Sequence, residues 1–385
     1  MARAVTNPLR AAARRCLRIA AVLIVSAGLP GCSLGYYWQA MRGHMQLMSQ
    51  REPVDAVLND PQTPAATRRQ LEVAQAALDF AHQDLRLPDN GSYRQYADTG
   101  RRYLVWNVVA APEWSLQPRT WCFPVAGCVS YRGYFAESKA RAFAAKRAAA
   151  GDDVFVGGTT AYSTLGRFAD PLTNAILDMP DYQVAGLIFH ELAHQQVYIA
   201  GDTAFNESFA TAVEQAGIRR WLIQRGDAAG LCAYERWLDR RAAVREVLNR
   251  GRTRLAAIYA KGGSETSLHL AKAAALDALR DDYRRLRGTW QGPPDFDTWF
   301  GPTLNNASLA ALSAYDEYVP AFTALLARNS ADFAAFYAAV ATLSEQPPAQ
   351  RQAALTALNS ATISAPPAPV NCPPAVAADS GISSG

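Results

Sequence analysis

The sequence predicts an α+β fold that is predominantly α, with a small β-sheet preceding one central helix. Three observations carry this expectation. From Asp181 to about Leu358, apolar residues recur at helical spacing between turns marked by Gly201-Asp202, Gly226-Asp227, Gly262-Gly263 and Gly292-Pro293-Pro294. Ahead of that region, short β-branched and aromatic runs read as strands. Half of the 385 residues are hydrophobic and a tenth aromatic, which is ample for a packed core and argues against global disorder.

The N-terminus has a different character. Residues 1–31 carry five arginines (Arg3, Arg10, Arg14, Arg15 and Arg18) and no acid, with an apolar stretch over 19–29. Such a segment describes a secretory signal, and its apolar run is short for a permanent membrane span. Without its five positive charges the formal net charge falls from +4 to −1. A near-neutral body with no basic run gives no electrostatic case for nucleic acid. The segment ends in Leu29-Pro30-Gly31-Cys32, which resembles a bacterial lipobox. That resemblance implies lipid on Cys32 and attachment to a membrane through it. Ser33 after the cysteine, in place of an aspartate, implies an outer-membrane anchor with a periplasmic body.

Cysteine usage fits export. Cys16 leaves with the signal and Cys32 carries the lipid, so Cys122, Cys128, Cys232 and Cys372 remain in an oxidising compartment. Cys122 and Cys128 are close enough in sequence to bridge a hairpin, and Cys232 and Cys372 are left over. No Cys-x-x-Cys pair occurs, which argues against zinc held by cysteine.

Along the chain, a helical stretch follows Gly35-Tyr36-Tyr37-Trp38 to about Ser49, and Pro61 and Pro64 break the pattern. Residues 67–85 read as a helix with Leu71, Ala74, Ala77, Leu78 and Phe80 on its apolar face. Asp89-Asn90-Gly91-Ser92 marks a turn. Strands are expected over 103–109, over 121–125 and over 153–156, the last ending at Gly157-Gly158, with 161–166 as an edge strand. A helix is expected over 136–150. No internal repeat is present. The expected organisation is a signal over 1–31, a single domain over 32–360 and a disordered tail over 361–385 rich in Pro, Ala, Ser and Gly.

The chemistry is concentrated in His190-Glu191-Leu192-Ala193-His194, an H-E-x-x-H sequence inside a helical stretch over 182–199. Residues four apart share a helix face, so both imidazoles can converge on one ion. Zinc favours nitrogen and oxygen donors and keeps one position open in catalytic sites, so one zinc per chain is expected. Glu191, beside that face, is placed to take a proton from water as it attacks a carbonyl. The chain has only five histidines, which makes the motif a rare coincidence. His44, His82 and His269 are isolated and carry no such reading.

A third ligand is expected at Glu207. If the first helix runs five residues past His194, about 7.5 Å, and a second begins near Thr203, four residues bring Glu207 back about 6 Å, level with His194. Glu214 lies about 10 Å further along that second helix. The run Phe205-Asn206-Glu207-Ser208-Phe209-Ala210 after H-E-x-x-H resembles the gluzincin metallopeptidases, most closely the alanyl-aminopeptidase type, where Glu214 also matches a motif glutamate. The whole chain from Tyr36 to about Leu326 resembles a family of bacterial lipoproteins described as predicted zinc aminopeptidases. Trp121-Cys122-Phe123-Pro124-Val125-Ala126-Gly127-Cys128 and Ala161-Tyr162-Ser163-Thr164-Leu165-Gly166 belong to that pattern. The resemblance implies a zincin-like fold and a peptide substrate. The chain departs from it in two ways: the gap from His194 to Glu207 is short, and the Gly-x-Met-Glu-Asn segment that grips a substrate amine is absent.

Thr211 stands where thermolysin-like enzymes carry an aspartate that orients a ligand histidine, which leaves Glu214 as the alternative partner. An oxyanion donor is sought among Tyr162, Tyr198 and Tyr315. Three readings follow: an envelope-anchored zinc aminopeptidase, an envelope metallo-endopeptidase with the same site, and a non-enzymatic envelope scaffold. The third has no use for Glu191.

Overall fold

The structure, a computed structural model, describes residues 32–123, 127–160, 163–290, 296–313, 317–362 and 372. The expected signal segment and most of the expected tail lie outside these residues, as do Tyr162 and Tyr315. The chain divides into two units, residues 1–49 and 50–385. The first contributes one helix, α1 (Cys32–Ser49), with Tyr37, Trp38, Met41 and Met45 exposed. No helix among the described residues is long and apolar enough to cross a membrane.

The second unit is mostly helical. In chain order it contains β1 (Glu52–Pro53), α2 (Val54–Asn59), α3 (Ala65–Gln83), β2 (Gln95–Ala97), β3 (Val105–Pro112), β4 (Trp121–Phe123), β5 (Gly127–Val129), β6 (Arg132–Tyr134), α4 (Glu137–Ala148), β7 (Asp152–Thr159) and β8 (Leu172–Thr173). Helices then follow one another: α5 (Asp181–Gln196), α6 (Thr203–Gln224), α7 (Ala228–Lys261), α8 (Glu265–Arg287), α9 (Asn306–Ser313), α10 (Val319–Arg328), α11 (Phe333–Ser344) and α12 (Pro348–Thr362). The fold is thus α+β and mainly α.

The largest sheet runs β6-β3-β7, antiparallel throughout, with Val108 opposite both Arg132 and Val156. Alternation along β3 sends Val109 and Ala111 to one face, where Ala307 and Ala310 of α9 cover them. The other face takes α4. Both faces are therefore covered, which explains why β3 is apolar apart from Asn107. A second sheet pairs β1 with β2 antiparallel and β2 with β8 parallel. The main core gathers α3, α5, α6 and α10–α12 around Phe189, Phe205, Phe209, Phe322 and Phe336, and a second cluster lies between α7 and α8.

Three sequence expectations change. Strand β7 continues through Gly157 and Gly158, because the Tyr103 ring occupies the space a Cβ on Gly158 would need, 2.3 Å from the nearest ring carbon. Ser163 to Gly166 forms a turn, not an edge strand: Leu165 and Gly166 have φ of 55° and 74°. The Asp170 carboxylate holds it there, accepting from Thr164 N and Oγ1, both at 2.8 Å. Third, α5 stops at Gln196, where Val197 turns extended (φ −144°, ψ 129°). Cys122 and Cys128 sit directly opposite each other on the β4–β5 hairpin and are disulfide-bonded, as are Cys232 and Cys372.

At the start of β7, Asp152 ties the sheet to α4. Its side chain is 1% exposed and accepts from Arg119 Nη2 at 2.9 Å and from Arg147 Nε at 2.8 Å. Burial pushes this carboxyl up, but the two guanidiniums outweigh that and hold it below the ordinary carboxylate range. Asp152→Asn should cost about 2 kcal/mol at neutral pH, less than a fully buried pair because both arginines are partly wet. The folded pKa is depressed, so this contribution is complete above the unfolded value near 3.9 and is lost as pH falls through the lower folded value. Urea midpoints of both proteins should differ constantly from pH 7 to about 4.5 and converge below that; a gap that widens in acid would contradict the account.

Candidate functional site

Helices α5 and α6 are joined by residues 197–202 and return on each other antiparallel. Two devices fix the connection. The Asn206 amide clamps Ile199 at both ends, accepting from its N–H at 2.8 Å and donating to its carbonyl at 2.7 Å. Asp202 caps α6 by accepting from Phe205 N at 3.1 Å, and its other oxygen takes Arg351 Nη2 at 2.7 Å. Glycines let the helices close. A Cβ on Gly217 would lie 2.8 Å from both Leu85 Cδ1 and Phe189 Cδ2. Gly186 on α5 similarly faces Glu214 and Ile218.

This approach brings Glu207 level with the two histidines. His190 Nε2 lies 3.4 Å from Glu207 Oε2, and His194 Nε2 lies 3.7 Å from Glu207 Oε1. The two Nε2 atoms are 3.2 Å apart. These three side chains are the group of His, Cys, Asp or Glu among the described residues whose ligand atoms all fall within 4.8 Å of one another. Glu214, about two turns beyond Glu207 on α6, sits beside His190 and accepts from its Nδ1 at 3.0 Å. Thr211 is buried between the two glutamates along α6.

The protonation pattern follows from this crowding. Burial lowers His194 to about 4, helped by the charge on His190 and opposed by Glu207, so its imidazole is neutral. Burial also pushes His190 down, but hydrogen bonds and charge from Glu207 and Glu214 outweigh it and raise the group well above its ordinary value. Glu207, despite burial, is held low by the two histidines. No lysine or arginine among the described residues pairs with Glu191, Glu207 or Glu214. With Nδ1–H committed to Glu214, a bare Nε2 on His190 would repel the bare Nε2 of His194. A proton or a metal cation has to sit between them. The spacing suits a cation: two nitrogens 2.0–2.1 Å from a tetrahedral ion are about 3.3 Å apart. The donor set, two imidazoles and a carboxylate, therefore fits zinc.

Glu191 lies close enough to His190 and Glu207 to feel their charges and also borders a second neighbourhood. Burial raises its carboxyl to about 7, with His190 and a hydrogen bond from Ser163 opposing and Glu207 and Asp170 reinforcing. With Tyr93 and Thr160 it lines a small space of about 10 Å³. The Tyr93 hydroxyl is buried there without a hydrogen-bond partner among the described residues, and burial beside Glu191 raises it well above its ordinary value, so it stays protonated. Ser92, Asp170 and Gln195 knit this wall together: Tyr93 N donates to the Asp170 carbonyl at 2.7 Å, and Gln195 receives Asn90 Nδ2 at 2.6 Å. Sequence reasoning missed Tyr93, Ser163 and Asp170. The turn at 89–92 was the available signal, since Tyr93 directly follows it with φ of 65°.

Of the three tyrosines considered as donors, Tyr162 and Tyr315 lie outside the described residues. Tyr198 stacks edge-on to His194, ring centroids 6.2 Å apart, and burial followed by the Glu207 charge raises its hydroxyl. The β4–β5 hairpin packs on the α5–α6 connection, where a Cβ on Gly127 would meet Gly201 N at 2.5 Å.

A family model described as a putative aminopeptidase matches residues 35–355. No curated protein and no solved structure matches the chain.

The helix approach is testable without any ligand. Gly217→Ala should gain up to about 1 kcal/mol of helix propensity yet lose about 1–3 kcal/mol by overpacking against Leu85 and Phe189. Its urea midpoint should therefore fall. A rise would show that α5 and α6 have room to spare.

Proposed function

The chain belongs to this aminopeptidase family, and from that premise we propose that it is a zinc-dependent peptidase of zincin-like, gluzincin type, anchored to the cell envelope by lipid on Cys32. One observation carries the proposal. His190, His194 and Glu207 converge at the spacing of a tetrahedral zinc site while Glu191 stands beside them and Glu214 stands behind.

His190, His194 and Glu207 would hold the ion. When bound, zinc supplies Lewis-acid activation of water and of a peptide carbonyl. The remaining work falls to this chain's side chains. Glu214 accepts the Nδ1 proton of His190, which fixes the tautomer that leaves Nε2 free for the ion. Glu191, oriented by Ser163, takes a proton from the attacking water and passes it to the leaving amine. Tyr198, kept protonated beside His194, is the donor for the oxyanion. The aminopeptidase direction comes from the family description. Export is supported by the bonded pairs Cys122–Cys128 and Cys232–Cys372, since such bonds persist in oxidising compartments.

Metal analysis of variants separates these roles. Glu207→Ala should lose zinc and activity together, and Glu214→Ala should weaken zinc binding about 10- to 100-fold. Glu191→Gln should retain zinc while turnover of peptide arylamides drops at least ~10²-fold. Full, tightly held zinc in the Glu207→Ala protein would refute the ligand set. For the anchor, cells fed a fatty-acid analogue should label the wild-type chain and leave Cys32→Ala unlabelled; no label on wild type would remove the lipid claim.

A further inference from the structure

A cavity of about 960 Å³ lies away from the histidines, between the α9-covered face of the β6-β3-β7 sheet and helix α7. That volume is at the upper end for small-ligand pockets and is enough for several residues of a peptide. Its floor is apolar: Phe155 of β7 stacks on Trp299 with centroids 5.3 Å apart, and Leu248 adds an aliphatic wall. Its other wall is cationic, formed by Arg241, Arg245 and Arg252 on one face of α7, with Glu317 as the acid among its lining residues.

Arg252 has the most to say about a ligand. It is partly buried, donates from Nη1 to the Leu309 carbonyl at 3.2 Å, and has no carboxylate partner among the described residues. Burial pushes its guanidinium below its ordinary value with no anion to oppose. A guanidinium offers five N–H donors in a fixed fork, and one carbonyl uses one of them. The Leu309 bond fixes the fork in place, leaving donors suited to a bidentate carboxylate.

Two short stretches of chain tie the cavity lining to the residues of the site. Thr159 lines it, and the next residue, Thr160, lines the small space beside Glu191. Glu317 lines it as well, and Tyr318 N donates to Ser208, the neighbour of Glu207, at 3.0 Å. We propose that this cavity is the distal substrate site and that Arg252 anchors a carboxylate of the bound peptide, either its C-terminus or an acidic side chain. The proposal rests on the peptidase reading above and gives it a substrate class: short peptides carrying a negative charge away from the cleaved bond.

The test is peptide binding by calorimetry to the full mature chain carrying Glu191→Gln, which slows turnover. The probes are a pentapeptide free acid of alanines around one phenylalanine, its C-terminal amide, and that amide with one glutamate. The free acid should bind at least about tenfold tighter than the plain amide, the scale of a lost charge-assisted contact. Arg252→Gln should erase the difference and Arg252→Lys should keep part of it, with thermal melting confirming that both variants fold. Tight binding of the glutamate-bearing amide would assign the site to acidic side chains, and tight binding of the free acid alone to the terminus. Equal binding of acid and plain amide, or a preference that survives Arg252→Gln, overturns the proposal. Hydrolysis of all three by the wild-type chain would then leave the peptidase reading standing. Arg252-dependent binding without any hydrolysis by the wild-type chain would do the reverse.

Discussion

The close antiparallel approach of α5 and α6 is the constraint on which the rest of the site depends. A helix by itself can place two imidazoles on one face, but the third donor has to come from another element. Here it comes from a helix that begins nine residues after His194 and packs so tightly that glycine stands at both contact points, Gly186 and Gly217. The connection is equally constrained. Asn206 satisfies both backbone groups of Ile199, so the chain reverses with few buried polar groups left open. Each of these details serves one end, a carboxylate at the height of two ring nitrogens.

That end has an electrostatic consequence. Glu191, Glu207 and Glu214 lie near two imidazoles in a largely buried region where, among the described residues, no lysine or arginine pairs with them. Buried charge of one sign is costly unless something neutralises it. In the bare protein the neutraliser is a proton on His190, which is why that group is raised while His194, a few ångströms away, is lowered. A divalent cation serves the same balance with more charge, and the geometry already has its spacing. On the zinc reading proposed above, metal affinity would be a property of the whole charge cluster more than of the motif.

The sequence made this cluster legible to an uneven degree. The histidine pair was readable because helical spacing is local, and Glu207 because a rise of 1.5 Å per residue bounds where a returning helix can reach. The estimate placed α5's end at Ile199 instead of Gln196, yet Glu207 still arrives, since the extended step at Val197 replaces the missing helical rise. Glu214 was readable as a candidate partner for a ligand histidine, though not for which of the two. Its contact with His190 depends on the antiparallel pairing, in which moving forward on α6 means moving backward on α5. The cationic cavity was not readable, because it needs α7 and β3 to meet across more than a hundred residues of chain. Likewise the run 161–166 has the composition of a strand, but Ser163 to Gly166 turns because Asp170 offers its carboxylate to Thr164.

That last misreading bears on catalysis. A general base works best when its affinity for protons is near neutrality, and an exposed glutamate is too weak a base for that. Burial supplies the upward push on Glu191, and the hydrogen bond from Ser163 moderates it. Ser163 belongs to the turn that Asp170 holds, and Asp170 in turn meets the 89–93 loop through Ser92 and Tyr93. Asp170 can do this because it is buried and bonded at both oxygens, which leaves little freedom to the loop it anchors. The helix motif therefore names the proposed base, while two loops distant in sequence set the surroundings that raise its carboxyl.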